Sequence, residues 1–239
     1  MPEVSYRIAP EIFAGYPGYV RGLLFACEVR NGPSPDALVQ FLRESEAAAA
    51  AQLELATLAE HPRIKSWREA FRAFGAKPSE YKSSIEALAR RALRADPLPS
   101  INALVDIGNL VSLRHLAPAG AHALDGVTGD LELRPATGAE TFVALGSDVR
   151  EHPEPGEIIF AEGETVLTRR WVWRQGQATL ATPATTVVEF NIDVLHPASP
   201  TEAEEIGIEI AGLVARFCGG RTRFVALSAQ HPATPIWTG

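Results

Sequence analysis

Ser100–Asp125, SINALVDIGNLVSLRHLAPAGAHALD, is the stretch around which the rest of the chain is organised. Ser100 reads as an N-cap, Pro97 and Pro99 mark the boundary, and Pro118 and Gly120 end the segment, which predicts a helix from Ile101 to about Leu116. Ile101, Leu104, Val105 and Val111 fall on one side and Ile107, Leu110 and Leu113 on another, the pattern of a helix buried nearly all round. Asn102, Asp106 and Asn109 nonetheless stand at i, i+4 and i+7 in one polar stripe. Left without partners there, each would cost about 1–3 kcal/mol, so each must meet something. Two answers fit the spacing. The stripe pins irregular backbone to the core, or it lines a pocket to which the Ala-Pro-Ala-Gly turn delivers His122 and Asp125.

With 239 residues, 46% hydrophobic and 21% charged, the chain has the length and composition of a soluble globular protein with a real core. It reads as a single domain over 1–239. No run approaches the ~18 apolar residues of a membrane span, and MPEVSYRIAPE lacks the basic and apolar regions of a secretory signal. Cys27 and Cys218 make neither a disulfide framework nor a metal spacing, so a reduced, cytoplasmic protein is expected. The net charge of −7 argues against general coating of nucleic acid, DNA included. Residues 61–95, however, carry nine basic side chains against three glutamates, a local surplus of six that leaves the remainder at −13. Such asymmetry points to a polyanionic partner or to a solvated helical surface.

Along the chain, Val4–Ile8 and Tyr19–Val29 lean to strand, and Ser34 with Pro35 opens a long helix to about Ala59. Helices follow from Pro62 to Gly75 and from about Ser79 to Ala95, then the central one. Beyond Asp125 the texture is strand and turn: Leu131–Arg134, Glu140–Leu145, Glu157–Ala161, Thr165–Arg174 and Thr186–Asp193. A Thr201/Glu204 capping box opens a last helix, and Thr222–Leu227 is a last strand. Helices gathered in one block beside a run of strands predict an α+β fold, with helices packed on mostly antiparallel or mixed sheets.

Strong enzymatic signatures are absent: no phosphate loop, no GxGxxG after a strand, no GxSxG elbow. The six histidines have no metal-site spacing, so neither metal nor cofactor is expected. TRRWVWR at 168–174 is the other conspicuous stretch. As a continuous strand it would put Trp171 and Trp173 on one face, and Arg170 and Arg174 on the other. It can stack and clamp nucleotides, or bury its tryptophans and solvate its arginines.

Several blocks together carry a family resemblance: REAFRAFG at 68–75, KSSIEALARR at 82–91, INALVDIGN at 101–109, AHALD at 121–125, LELRPATGAE at 131–140 and TVLTRRWVWR at 165–174. They resemble the B3/B4 editing domain of the bacterial phenylalanyl-tRNA synthetase β subunit, and more closely its free-standing forms, over roughly residues 65–195. Residues 1–60 and 200–228 would complete that core. The resemblance implies the fold of that editing domain. It also implies binding of the aminoacylated 3′ end of tRNA, with hydrolysis of a mischarged ester in trans and a synthetase as a possible partner. It maps the family's active-site histidine onto His122, with Asp125 or Asp106 to orient it, and makes Asn102, Asp106 and Asn109 a pocket wall. Lys82, Ser83, Arg90, Arg91, Arg94, Arg170, Trp173 and Arg174 would hold the tRNA. Hydrolysis of an activated ester needs only an oriented water and donors for the oxyanion, and an imidazole with an ordinary pKa near 6.5 suits the positioning role. The synthetase glutamate that reads the tyrosine hydroxyl has no counterpart in Arg169–Gln177. A non-catalytic RNA-binding module and a pocket for an amino-acid-like small molecule are the alternatives.

Overall fold

VVEFNIDV at 187–194 alternates apolar and polar residues, so a strand here has two unlike faces. In the computed structural model, which describes residues 4–239, it is a central strand buried on both. The elements run β1 (Ser5–Ile8), α1 (Pro10–Gly15), β2 (Val20–Cys27), α2 (Asp36–Gln52), α3 (Pro62–Ala73), α4 (Ser84–Leu93) and α5 (Ala103–His115). They continue β3 (Ala119–Ala123), β4 (Leu131–Pro135), β5 (Phe142–Val143), β6 (Arg150–Glu151), β7 (Ile158–Glu162), β8 (Thr165–Arg169) and β9 (Arg174–Gln175). The last are β10 (Val187–Val194), α6 (Glu202–Phe217), β11 (Arg221–Leu227) and β12 (Ala233–Pro235).

Two sheets carry the fold. One is antiparallel throughout, in the order β11-β2-β10-β3. The other, β12-β1-β4-β7-β8-β9, is mixed, because β1 pairs parallel with β4 and every other pair is antiparallel. β5 and β6 form a short ribbon. The fold class is α+β, as the helix-then-strand texture predicts. Helices cover the Phe190 face of the four-stranded sheet. There a Cβ on Gly108 of α5 would come within 3.1 Å of the Ala119 carbonyl, so glycine lets that helix lie against β3. The opposite face, which carries Arg21, His122, Glu189 and Asp193, meets the six-stranded sheet through Tyr6 and Phe160.

The central helix starts two residues later than the sequence predicts. Asn102 is its N-cap, with Oδ1 accepting from Val105 N at 3.1 Å. Ser100 is instead drawn to Asp106, whose buried carboxylate accepts from the hydroxyls of Ser34 (2.6 Å) and Ser100 (2.5 Å) and from Ile101 N (3.0 Å). A charged acceptor collects donors more strongly than an N-cap hydroxyl does. Leu116 in the left-handed region (φ 47°) ends the helix before Pro118, and the expected Ala-Pro-Ala-Gly turn runs at once into edge strand β3, which begins at Ala119. Likewise α2 stops at Gln52, since Leu58 turns into the core through a 3-10 turn at Leu58–Glu60. The expected start at Ser79 moves to Ser84, because Ser83 Oγ caps Glu86 N at 3.3 Å. The long strand at 165–174 breaks after Arg169, where Arg170 (φ 47°) and Trp171 (φ 63°) both turn left-handed. Trp171 and Trp173 therefore do not share a face. Trp171 is buried among Tyr16, Tyr19 and Trp67, while Trp173 stays half-exposed.

Asp106 thus ties the 31–34 loop and the 97–101 linker to the core. Asp106→Ala is expected to destabilise the protein by about 2–3 kcal/mol in urea unfolding, with Asp106→Asn intermediate. Equal midpoints for wild type and Asp106→Ala would refute this anchoring.

Candidate functional site

The left-handed break after Arg169 and the glycine-permitted approach of α5 to β3 leave a cavity of about 170 Å³ between them. Asn109 and Ser112 of α5, Gly120 and His122 of β3, and Asn191 and Asp193 of β10 are among its walls, and Trp173 and Arg174 stand on the turn side. Ser84 and Leu88 of α4 close it, held by Ser84 N donating to the Val172 carbonyl at 2.7 Å. Drug-sized sites run from about 300 Å³, whereas a cavity near 150 Å³ takes one benzene. This one has the volume of a single amino-acid-sized group.

His122 is 2% exposed, and each ring nitrogen already has a partner. Its Nδ1 lies 2.6 Å from Thr179 Oγ1 and 3.2 Å from Gln175 Nε2. Gln175 spends its amide hydrogens on the carbonyls of Ala121 and Thr179, both at 3.0 Å. Nδ1 therefore pairs with the Thr179 hydroxyl and Nε2 with Thr168 Oγ1 at 3.2 Å, each hydroxyl able to donate or accept as the tautomer requires. Burial, helped by the positive charge of Arg21, lowers the His122 pKa to about 3. The ring is neutral throughout the physiological range and a poor base. It is a neutral hydrogen-bonding group held in place, so the ordinary pKa expected from sequence does not apply.

Behind the cavity lies a polar layer between the two sheets. Arg21 and Asp193, both inaccessible, form a two-pronged pair (Nε–Oδ1 2.9 Å, Nη2–Oδ2 3.0 Å). Tyr19 donates to Asp193 Oδ1, Arg21 Nη1 donates to Tyr6 Oη at 2.8 Å, and Trp171 Nε1 to Tyr19 Oη at 3.3 Å. Glu189, the register partner of His122, is fully buried and neither of its carboxyl oxygens makes a well-formed hydrogen bond. Burial raises its pKa to about 8, and nearby Arg21 offsets only part of that rise.

Of the residues expected at the site, His122, Asn109, Trp173 and Arg174 line the cavity. Asn102 and Asp106 do not. Asn102 is spent on Val105 N and on the Ala181 carbonyl (2.9 Å), and Asp106 on the loop donors named above, so for these two the pinning answer holds. Asp125 is exposed and accepts from Thr186 N (2.9 Å) and Oγ1 (2.6 Å); it cannot orient the imidazole. Much of the basic segment is occupied as well. Arg68 and Arg90 both bind buried Glu86, Arg91 pairs with Asp96, Lys82 donates to the Ser79 carbonyl and Ser83 is a buried cap. Arg94 is exposed. Arg170 is buried between Tyr81 (3.6 Å to the ring centre) and Trp173 (4.6 Å), with Glu157 at 3.5 Å. Sequence reasoning missed Thr168, Gln175, Thr179, Asn191 and Asp193. The alternation of Glu189, Asn191 and Asp193 is a signal for the last two, but it reads as a solvated strand face until a second sheet covers it.

Comparison with known proteins places these residues in context. Residues 66–209 match the B3/4 domain family. Over 92 residues the chain is 32% identical to the phenylalanine–tRNA ligase beta subunit of Mycoplasma genitalium, a segment covering 38% of this chain and 11% of that subunit. An N-terminal fragment of the phenylalanyl-tRNA synthetase beta-subunit from Pyrococcus horikoshii aligns with a TM-score of 0.45 and 9% identity, over 92% of this chain and 50% of the fragment. The chain thus spans about a tenth of the first relative's length and half of the second's.

The two buried titrating groups fix a pH signature. Folded Glu189 holds its proton more tightly than an unfolded glutamate (4.5), so stability falls as pH rises from about 4.5 to about 8. His122 acts in the opposite sense, since its stabilisation is lost as pH falls from 6.5 toward about 3. Glu189→Gln is expected to gain thermal stability relative to wild type progressively between these upper limits, from pH 5 to 8. Parallel melting-temperature curves for the two proteins would sink the assignment.

Proposed function

We propose, from the premise that this chain belongs to the B3/4 domain family, that the His122 cavity receives the aminoacylated 3′ end of a tRNA and hydrolyses the ester of a mischarged one. The observation that carries this reading is a neutral imidazole, hydrogen-bonded at both ring nitrogens, in the wall of a cavity sized for one aminoacyl group. The tRNA would be charged by a separate catalytic unit and presented here.

The chemistry asks little of the protein. Water adds to the ester carbonyl carbon and the bond to the ribose oxygen breaks. That oxygen takes up one proton of the water, the other passes to solvent, and the amino acid leaves as its carboxylate. A group with a pKa near 3 does not take a proton from water at neutral pH. Nε2–H of His122 instead turns from Thr168 Oγ1 toward the carbonyl oxygen as negative charge develops there, the way a neutral imidazole serves as an electrophile. Arg174 and Trp173, which line the cavity, would meet the terminal nucleotide, the former through phosphate and the latter by stacking on the base. That both imidazole nitrogens are engaged in the unliganded protein favours a second reading, a non-catalytic binder of the same tRNA end.

Deacylation of a panel of mischarged tRNAs separates them. His122→Ala is expected to lower the rate by about 100-fold or more, the scale of one lost oxyanion donor, while His122→Gln retains part of it. The wild-type profile shows no ionisation of His122 between about pH 5 and pH 8. Tight tRNA binding without turnover by wild type selects the second reading, and full turnover by His122→Ala removes the histidine from the chemistry.

A further inference from the structure

Asn191 sits on the cavity wall with an acceptor that no described residue satisfies. The residue is 6% exposed and its Oδ1 has no hydrogen-bond partner among the described residues. Its amide cannot simply turn over to cure this. Nδ2 donates to Asp193 Oδ2 at 3.2 Å, and Asp193 is locked by the two-pronged contact from Arg21, so a flipped amide would set Oδ1 against a carboxylate. Oδ1 is thereby directed over Gly120, the register partner of Asn191 on β3. A Cβ on Gly120 would lie 2.8 Å from it. Only glycine leaves room for Oδ1 there. Asn191 and Gly120 both line the cavity, and Asn191 stands one alternate strand position from His122 on the same sheet face.

A buried acceptor without a donor is costly, and a site built this way rejects ligands that cannot supply one. We infer that Asn191 is a specificity-determining residue whose Oδ1 accepts from an N–H or O–H donor on the aminoacyl group. This rests on the reading of the cavity as an aminoacyl site. Two sources of such a donor exist on an aminoacyl ester: the α-amino group, which every substrate carries, and a side-chain hydroxyl. The surroundings favour an uncharged donor in either case, because Asp193 is neutralised by Arg21, burial keeps Glu189 protonated at neutral pH, and Arg174 lines the same cavity.

Binding of small esters, measured by calorimetry and thermal shift on the whole chain, tests the assignment and separates the sources. Alanine methyl ester against methyl isobutyrate replaces only the amine by a methyl. Serine methyl ester against 2-aminobutyrate methyl ester replaces only the hydroxyl. One pair is expected to differ by about tenfold to a hundredfold in Kd, and the pair that differs names the donor. Asn191→Leu is expected to abolish the difference. So is Gly120→Ala, which leaves the amide in place and crowds Oδ1 by a displacement that a side-chain end can absorb. Equal affinities within both pairs, no binding of any ester, or a preference surviving in both variants would overturn the inference. Turnover of aminoacyl-tRNA with no donor preference overturns it while leaving the hydrolase reading intact. Donor-selective ester binding without turnover upholds it and removes hydrolysis.

Discussion

The contact between Arg21 and Asp193 is the constraint from which most of this structure follows. Neither side chain touches solvent, and both lie in the layer where two sheets meet. An isolated charge there would be prohibitive, and even a pair breaks even only when its remaining hydrogen-bonding capacity is filled. It is filled here: Tyr6, Tyr19 and Asn191 take up the other valences, and Trp171 reaches the same cluster through Tyr19. These residues come from β1, β2, β10 and the turn after β8, so satisfying one ion pair aligns both sheets and the segment that closes the cavity. The register β2–β10 sets Arg21 opposite Asp193, so the pair also penalises any strand slip.

Two buried carboxyl groups show how surroundings divide structural from titratable behaviour. Asp106 has three donors aimed at it from loop residues and serves as an anchor. Glu189 has no such set and, desolvated, holds a proton into the neutral range. The imidazole opposite it loses its proton for the same reason of burial, with Arg21 adding to the effect. The layer behind the cavity is therefore close to neutral apart from a compensated pair. A neutral, close-walled and pre-bonded site is suited to holding a small polar group in one orientation, and poorly suited to general-base chemistry.

The basic surplus of residues 61–95 illustrates why charge counts do not translate into binding surface. Glu86, fully buried, draws in both Arg68 and Arg90, so two of the nine cations are spent internally, one linking α3 to α4 and one within α4. The cation that lines the cavity comes from a different part of the chain, at Arg174, just after a short left-handed turn that interrupts the expected strand.

Local patterns decided much in advance. Apolar periodicity marked α3, α5 and α6, β-leaning runs between turn residues marked β2, β7 and β10, and the order of the blocks was enough to indicate the α+β class and the B3/4 family. His122 and Asn109 were also legible, because a polar residue in a greasy stretch stands out without knowledge of its neighbours. What only the tertiary structure decided is which of several equally spaced polar groups finds a partner. Asn102 and Asp106 share a stripe with Asn109, yet loops distant in sequence claim the first two and leave the third on the cavity. Asn191 looks like any outward residue of an alternating strand until a second sheet closes over it. Periodicity reports the face on which a side chain lies. Whether that face meets water, backbone or an empty volume depends on chain that arrives from elsewhere, and no local pattern encodes it.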